Sequence, residues 1–410
     1  MTLELRRRVA FTIGALLVYR LGTYIPVPGI DPAVLAQLFG SRSGGILNTV
    51  NLFSGGAVGR LAIFALGITP YLSAAIVVQL LAITVPWLKA LRRSGEKGRG
   101  RIDRYTRYFA VVLAAFQAYG LAGALESISN LVLDPGAMFR ASTMLTLTGG
   151  TMLLIWLSDQ ITARGIGNGV ALMLALGIVM GIPEAIRGLL ELGRQGQLSP
   201  DVILGVAVVA VALTALIAVM EGAQRRLPVE FPARQVGART VGGRSDLRIN
   251  LNSAGIIPAG LATWGILLPL LIIRLNTDQL DWWRAIGDEI DERGRLYLTC
   301  FALLIVVCAI IYTALIFSPD AAAEDLNKYG GIIPGVEPGE ATAAHIDHVV
   351  SRVTLLGAAY LAFVYLVPEL LITHAQVPFY LGGASLLIVV CTVLDLQKQV
   401  RGYATIKSGG

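Results

Sequence analysis

Residues 202–220 read VILGVAVVAVALTALIAVM, nineteen positions without a charge. Wound as an α-helix at 1.5 Å per residue, this stretch is about 28 Å long, close to the hydrocarbon thickness of a bilayer. EGAQRRL follows at once, so the apolar rod ends in a basic collar. Stretches of the same kind recur in both directions. Spans are expected at about Val9–Ile25, Leu61–Val85, Tyr108–Leu125, Ala141–Leu157, Gly169–Ile186, Val202–Met220, Ala254–Ile273, Leu296–Phe317, Val353–Ile372 and Val377–Leu394. A soluble domain carries about a quarter charged residues. Here 15% of 410 residues are charged and 55% are hydrophobic, so much of the surface faces lipid.

An even number of spans puts both termini on one side. With that side cytoplasmic, the inner segments hold Arg6–Arg8, the run from Lys89 to Arg107 and the run from Arg225 to Arg248. The outer segments hold only scattered arginines such as Arg42, Arg140 and Arg274. This asymmetry obeys the positive-inside rule and gives the orientation. Arg6–Arg8 precede the first apolar run with no small-residue cleavage site, which reads as a retained helix. Cys300, Cys308 and Cys391 fall inside apolar stretches and read as packing thiols. Three cytoplasmic connections are long, at about 86–107, 222–251 and 318–351, and long loops are functional or disordered. The first two are basic, which topology explains; the third is acidic, which topology does not.

Charges within the spans are few. Arg20 and Glu369 lie near outer ends, where they can snorkel or pair. No buried acidic relay of the kind used for ion coupling is evident, so a secondary transporter of a small solute is the weaker alternative. Gly165–Gly169 reads GIGNG, but it follows an apolar helix rather than a strand, and no Gly-Lys pair of the Walker type exists. A tight helical hairpin is the expected structure. His345-Ile-Asp-His348 has metal-like spacing without a third ligand. Neither His-Glu-x-x-His nor Gly-x-Ser-x-Gly occurs. No catalytic residue, cofactor or metal is therefore expected. Asn51–Arg60, NLFSGGAVGR, is too polar and too rich in glycine to span alone. Two readings stay open for it: an outer loop, or a re-entrant segment, since irregular backbone at membrane depth survives only inside protein or against a cavity.

RLGTYIPVPGI (20–30), LFSGGAVGRLAIFALGITPYLSA (52–74), YTRY (105–108), QITARGIGNG (160–169), NSAGIIPA (252–259), YTALIF (312–317) and VPFYLGGASLLIVV (377–390) resemble, in order, the SecY family of bacterial protein-conducting channels. The resemblance runs from about residue 3 to 399. It implies an all-α polytopic fold of ten helices in two inverted halves of five, here residues 1–190 and 191–410, clamped around an hourglass pore. It implies a waist of apolar side chains at Ile68, Leu72, Val170, Leu174, Gly260 and Ile388. It implies a plug at about 51–60, with Asn51, Leu52, Phe53, Ser54, Gly55, Gly56 and Arg60. Spans two and three against seven and eight match the lateral gate; Gln79, Gln117 and Thr263 are its candidate polar lining, or else ordinary interhelical hydrogen-bonding groups.

The resemblance further implies movement of secretory preproteins across, and of membrane proteins into, the cytoplasmic membrane. SecE and SecG are the implied membrane partners, and SecA or a translating ribosome the source of energy. No cofactor is implied, and no nucleic acid except ribosomal RNA at docking loops that include Arg234, Arg239, Lys328 and Glu337. The chain departs from the family at several places, among them Gly237-Ala238-Arg239, where the family has paired arginines after the glycine, and two single positions. Gly260 stands where an aliphatic side chain is usual. Glu337, in PGVEPGE (334–340), stands where the family has Arg, within a loop acidic throughout. The latter points to altered partner docking and to an accessory or specialised copy.

Overall fold

In a computed structural model, residues 3–35, 54–236, 239–252, 255–263, 265–266, 295–375 and 382–405 are described. Among them seven helices are long and apolar enough to cross a membrane, or eight if a pair bent by 100° is one span. The helices are α1 Leu3–Gly22, α2 Thr69–Thr84, α3 Pro86–Arg93, α4 Glu96–Glu126, α5 Ala137–Arg164, α6 Gly169–Arg194 and α7 Pro200–Gly222. A hairpin of β1 Gln224–Val236 and β2 Arg239–Asn250 follows, then α8 Arg295–Ile316, α9 Pro319–Lys328, α10 Glu340–Ala375 and α11 Gly383–Thr405. Of the seventh expected span, residues 255–256 form a turn, 257–263 and 265–266 are helical, and the remainder lies outside the described residues. In α7 only 17% of the most apolar window is buried, as expected of a helix that faces lipid.

The chain forms two compact units. In the first (residues 1–203, 378–381 and 388–410), α4 and α5 run antiparallel, joined near one end by Arg107–Asp159 (3.0 Å) and near the other by Arg140 Nε donating to Glu126 Oε2 (2.6 Å). Between these pairs Ala110, Ala114, Ala118 and Ala122 are fully buried, so α4 brings its backbone close to its neighbours.

The second expected span begins later than its hydropathy suggests. Residues 54–68 are turns, and helix starts only at Thr69 with Pro70 in its first turn. Leu61 and Gly67 have φ of 42° and 58°, outside the helical region, and Pro70 favours a helix start because it has no N–H to satisfy. These turns are held by backbone pairing. Val27 N donates to Leu61 O (2.8 Å) and Ile63 N to Ile25 O (2.9 Å). The first of the long connections, about 86–107, is also not a loop. It contains α3, bent 100° from α2, and the first turns of α4.

In the second unit (residues 204–377 and 382–387), the two remaining long connections fold together. β1 and β2 pair antiparallel with Glu230 opposite Arg244, whose Nε donates to the Glu230 carboxylate at 2.9 Å. Glu230 N and O also bond Ile332 O and N at 2.8 and 2.9 Å, so the segment before α10 lies along β1. Leu227 and Val229 alternate along β1 and meet Ile249 of β2, Ala323 of α9 and Ile346 and Val350 of α10 in one hydrophobic cluster. The long loops are a small folded module. Its signal was present as the period-two series Leu227, Val229, Phe231, which Pro228 and Pro232 mask because proline argues against an interior strand.

Close approach at one glycine yields a test of this packing. A Cβ at Gly150 would collide with the Ile63 carbonyl, whereas one at Gly149 meets nothing within 4 Å. Gly149→Ala is expected to be neutral or slightly stabilising, and Gly150→Ala to lose about 1–3 kcal/mol. Thermal unfolding of the two variants in detergent should place only Gly150→Ala below the parent Tm.

Candidate functional site

The turn before α6 sets the site. Asn168 caps the helix, accepting from Val170 N (3.0 Å) and Ala171 N (3.3 Å), a bond worth about 1 kcal/mol. The amides of the GIGNG turn are directed inward. Gly165 N donates to Ile161 O (2.7 Å), Ile166 N to Thr12 Oγ1 (3.0 Å), Gly167 N to Gln399 Oε1 (2.8 Å) and Gly169 N to Thr162 Oγ1 (2.9 Å). An anion-binding loop would need such N–H groups aimed at its ligand. This motif is a tight helical hairpin that fixes where α6 begins.

From that start α6 presents Val170 and Leu174 one turn apart. Leu174 and Ile68, the residue before α2, are buried in one hydrophobic cluster with Phe64, Leu154 and Ile161; Leu72, Val170 and Ile388 pack against it. Five of the six expected waist positions thus share one apolar surface, all within the first unit. Gly260, in the second unit, is helical, its N donating to Ile256 O at 3.4 Å.

The 54–68 turns pack on the same surface through the fully buried Ala57 and Ala62. Ser54 Oγ accepts from Val58 N (3.2 Å) and shapes the first turn. Gly55 and Gly56 have φ of 65° and 84°, a conformation side chains rarely adopt, and Gly55 lies against Gly177 of α6 and the Tyr19 hydroxyl of α1. Arg20 Nη1 donates to Gly55 O (2.9 Å) and its Nη2 to the Tyr24 hydroxyl (2.6 Å). Arg20 and Arg60 both lie over the Tyr24 ring, with guanidinium carbons 4.7 and 4.3 Å from its centroid. Asn51, Leu52 and Phe53 lie outside the described residues. Sequence reasoning placed Arg20 at an outer helix end and overlooked Tyr24; the only local signal was their spacing of four, one helical turn.

The candidate gate residues are more dispersed. α2 and α4 run antiparallel, with Ala74 and Ala110 in one cluster and Ala65 and Ala118 in another. Gln79, exposed on α2, therefore stands roughly 18 Å along the pair from the half-buried Gln117 on α4. Thr263 is exposed, its hydroxyl donating to Ala259 O (2.9 Å).

Residues 62–397 match the model of the SecY family. The chain belongs to the SecY family. It is 44% identical over 404 residues to the protein translocase subunit SecY of Escherichia coli K12, covering 97% of this chain and 91% of that one. It is also 44% identical over 407 residues to the subunit of the same name from Vibrio cholerae, covering 98% and 92%. In fold it is similar to a solved protein-conducting channel (TM-score 0.67, 17% identity, 97% and 92% covered). It is similar too to Sec61 in a canine ribosome–channel complex from the endoplasmic reticulum (TM-score 0.63, 17% identity, 97% and 92% covered). The chain is thus a multi-pass membrane protein with the SecY fold.

The expected docking residues of this SecY-family chain all belong to the folded module. Arg239 opens β2 opposite Val236, and Arg234 stands opposite Val241, both at the far end of the hairpin. Lys328 ends α9 and is exposed. Glu337 is exposed in the turn before α10, where its carbonyl accepts from the Thr342 hydroxyl (2.7 Å). Asp320, Glu324, Asp325, Glu340 and Asp347 are exposed as well. Acidic residues coat the α9–α10 part of the module, arginines such as Arg225, Arg244 and Arg248 coat the hairpin, and apolar side chains hold the two together, so surface and stability are separable. Ile346→Ala, at a fully buried position, is expected to cost about 2–5 kcal/mol and to speed proteolysis of the hairpin in membrane vesicles. Glu337→Arg should leave that cleavage rate unchanged.

Proposed function

We propose that this chain forms the pore through which unfolded secretory proteins cross, and membrane proteins enter, the bacterial cytoplasmic membrane. It is a channel subunit of a protein translocase rather than an enzyme. The relatives named protein translocase subunit SecY and the fold of a protein-conducting channel favour this reading over a small-solute transporter. In this reading both termini are cytoplasmic, residues 1–190 and 191–410 are the two halves of the clamp, and the hairpin module faces the cytoplasm.

The observation that carries the mechanism is the single apolar surface shared by Ile68, Leu72, Val170, Leu174 and Ile388, with the 54–68 turns packed on it. Aliphatic side chains close around any polypeptide without binding it, and an apolar constriction gates by dewetting. These residues, with Gly260, are the waist, and residues 51–60 are the plug. Gln79, Gln117 and Thr263 line a lateral gate; polar contacts between membrane helices average about 0.6 kcal/mol, weak enough for an interface that opens. Energy comes from partners on the cytoplasmic module, SecA or a translating ribosome, and SecE and SecG brace the clamp. The likeness to Sec61 in a ribosome complex supports the ribosome as one of these.

Gly260 leaves the waist one aliphatic side chain short, so the seal leans on the plug. Deleting residues 54–59 is expected to raise the ion current across planar bilayers, and adding Gly260→Ile to lower it again. A current that Gly260→Ile leaves unchanged would remove Gly260 from the pore.

Complementary charge sets on-rate and partner choice, and like charges at an interface cost several kcal/mol, each 1.4 kcal/mol being tenfold in affinity. The acidic 318–351 segment of the module therefore selects a motor with a basic facing surface. Translocation of a preprotein into vesicles is expected to run faster with the SecA of the same cell than with that of an unrelated bacterium. Glu337→Arg should improve the second pairing without improving the first. Equal rates throughout would deny the module any role in partner choice.

A further inference from the structure

We propose that Tyr24, with Arg20 and Arg60, is a cation–π latch that holds the plug against α1, making these three side chains positioning residues for channel closure. The inference rests on reading residues 51–60 as the plug. Arg20 and Tyr24 belong to the outer end of the α1 segment, whereas Gly55 and Arg60 belong to the 54–68 turns, so the cluster joins two separate pieces of chain. Arg20 grips the turn by its backbone, donating to Gly55 O at 2.9 Å, and the Tyr24 hydroxyl orients that guanidinium through a 2.6 Å bond. Arg60 returns from the other end of the same turn, its guanidinium carbon 4.3 Å from the Tyr24 centroid. Gly56 makes room, since a Cβ there would lie 3.2 Å from Arg60 Nη1.

The chemistry suits a joint that opens. Among the described residues no ion pair joins either arginine to a carboxylate, so two cations share one ring and repel each other. Among the same residues Arg60 Nη1 is buried without a hydrogen-bond partner. A donor left in that state is unfavourable, and water would satisfy it once the turn moves. The ring's attraction for the guanidinium offsets this cost only while the turn stays in place. Loss of the aromatic face should therefore tip the balance towards the displaced plug.

The test is the bilayer current of the full-length chain with and without residues 54–59. Tyr24→Leu is expected to raise the current roughly threefold to tenfold when the plug is present and to add nothing when it is deleted. Tyr24→Phe, which keeps the ring and loses the hydroxyl, should fall between the parent and Tyr24→Leu. Arg60→Gln should reproduce Tyr24→Leu and serves as the second variant should Tyr24→Leu fail to accumulate in membranes. If deletion raises the current and neither Tyr24→Leu nor Arg60→Gln does, the latch is wrong and the plug reading stands. A rise of equal size in both backgrounds would place Tyr24 elsewhere and also overturn the latch. If deletion itself changes nothing, the plug reading fails and the latch with it.

Discussion

A backbone N–H or C=O in hydrocarbon has no water to turn to, and the architecture of the first unit follows from that constraint. Helices satisfy their own groups; residues 54–68 do so only in part, through turns such as Ala62 N to Ala57 O, so this irregular stretch must be enclosed by protein. It bonds residues 25–27 along one edge, receives the Arg20 guanidinium at Gly55 O and packs Ala57 and Ala62 into the cluster that also holds Ile68 and Leu174. Glycines allow the approach: Gly22 admits the Phe64 ring and Gly150 the Ile63 carbonyl. The irregular segment and the apolar surface are thus one packed object, and displacing the segment uncovers that surface.

The same constraint explains the contrast between the two units. On the proposed cytoplasmic side the chain is free of lipid, and the hairpin with α9 and the start of α10 builds an ordinary water-soluble core, with Ile346 at its centre and charged residues of both signs outside. Pairing of Glu230 with Ile332 makes the two long connections a single body. A partner seated there meets a surface whose shape is set by buried Leu, Val and Ile and whose charge can change without disturbing that shape. The charge of the exposed Glu337 can therefore be reversed without disturbing the fold.

The helical spans and their order were readable from composition, because hydrophobic length is a property of the chain itself. The hairpin at GIGNG was readable too, from the apolar helix before it. The start of α2, the enclosure of residues 54–68 and the folding together of the long loops were not. The last two depend on groups distant in sequence: Ile25 with Ile63, Val27 with Leu61, Glu230 with Ile332. Hydropathy scores a residue by its own side chain and assigns Leu61–Ile68 to a helix that Gly67 and Pro70 delay. What the amino-acid sequence by itself determined was which segments enter the membrane and which family they form. Tertiary structure decided which backbone groups of the irregular segments find partners, because a hydrogen bond between distant residues is selected by the packing of the whole unit.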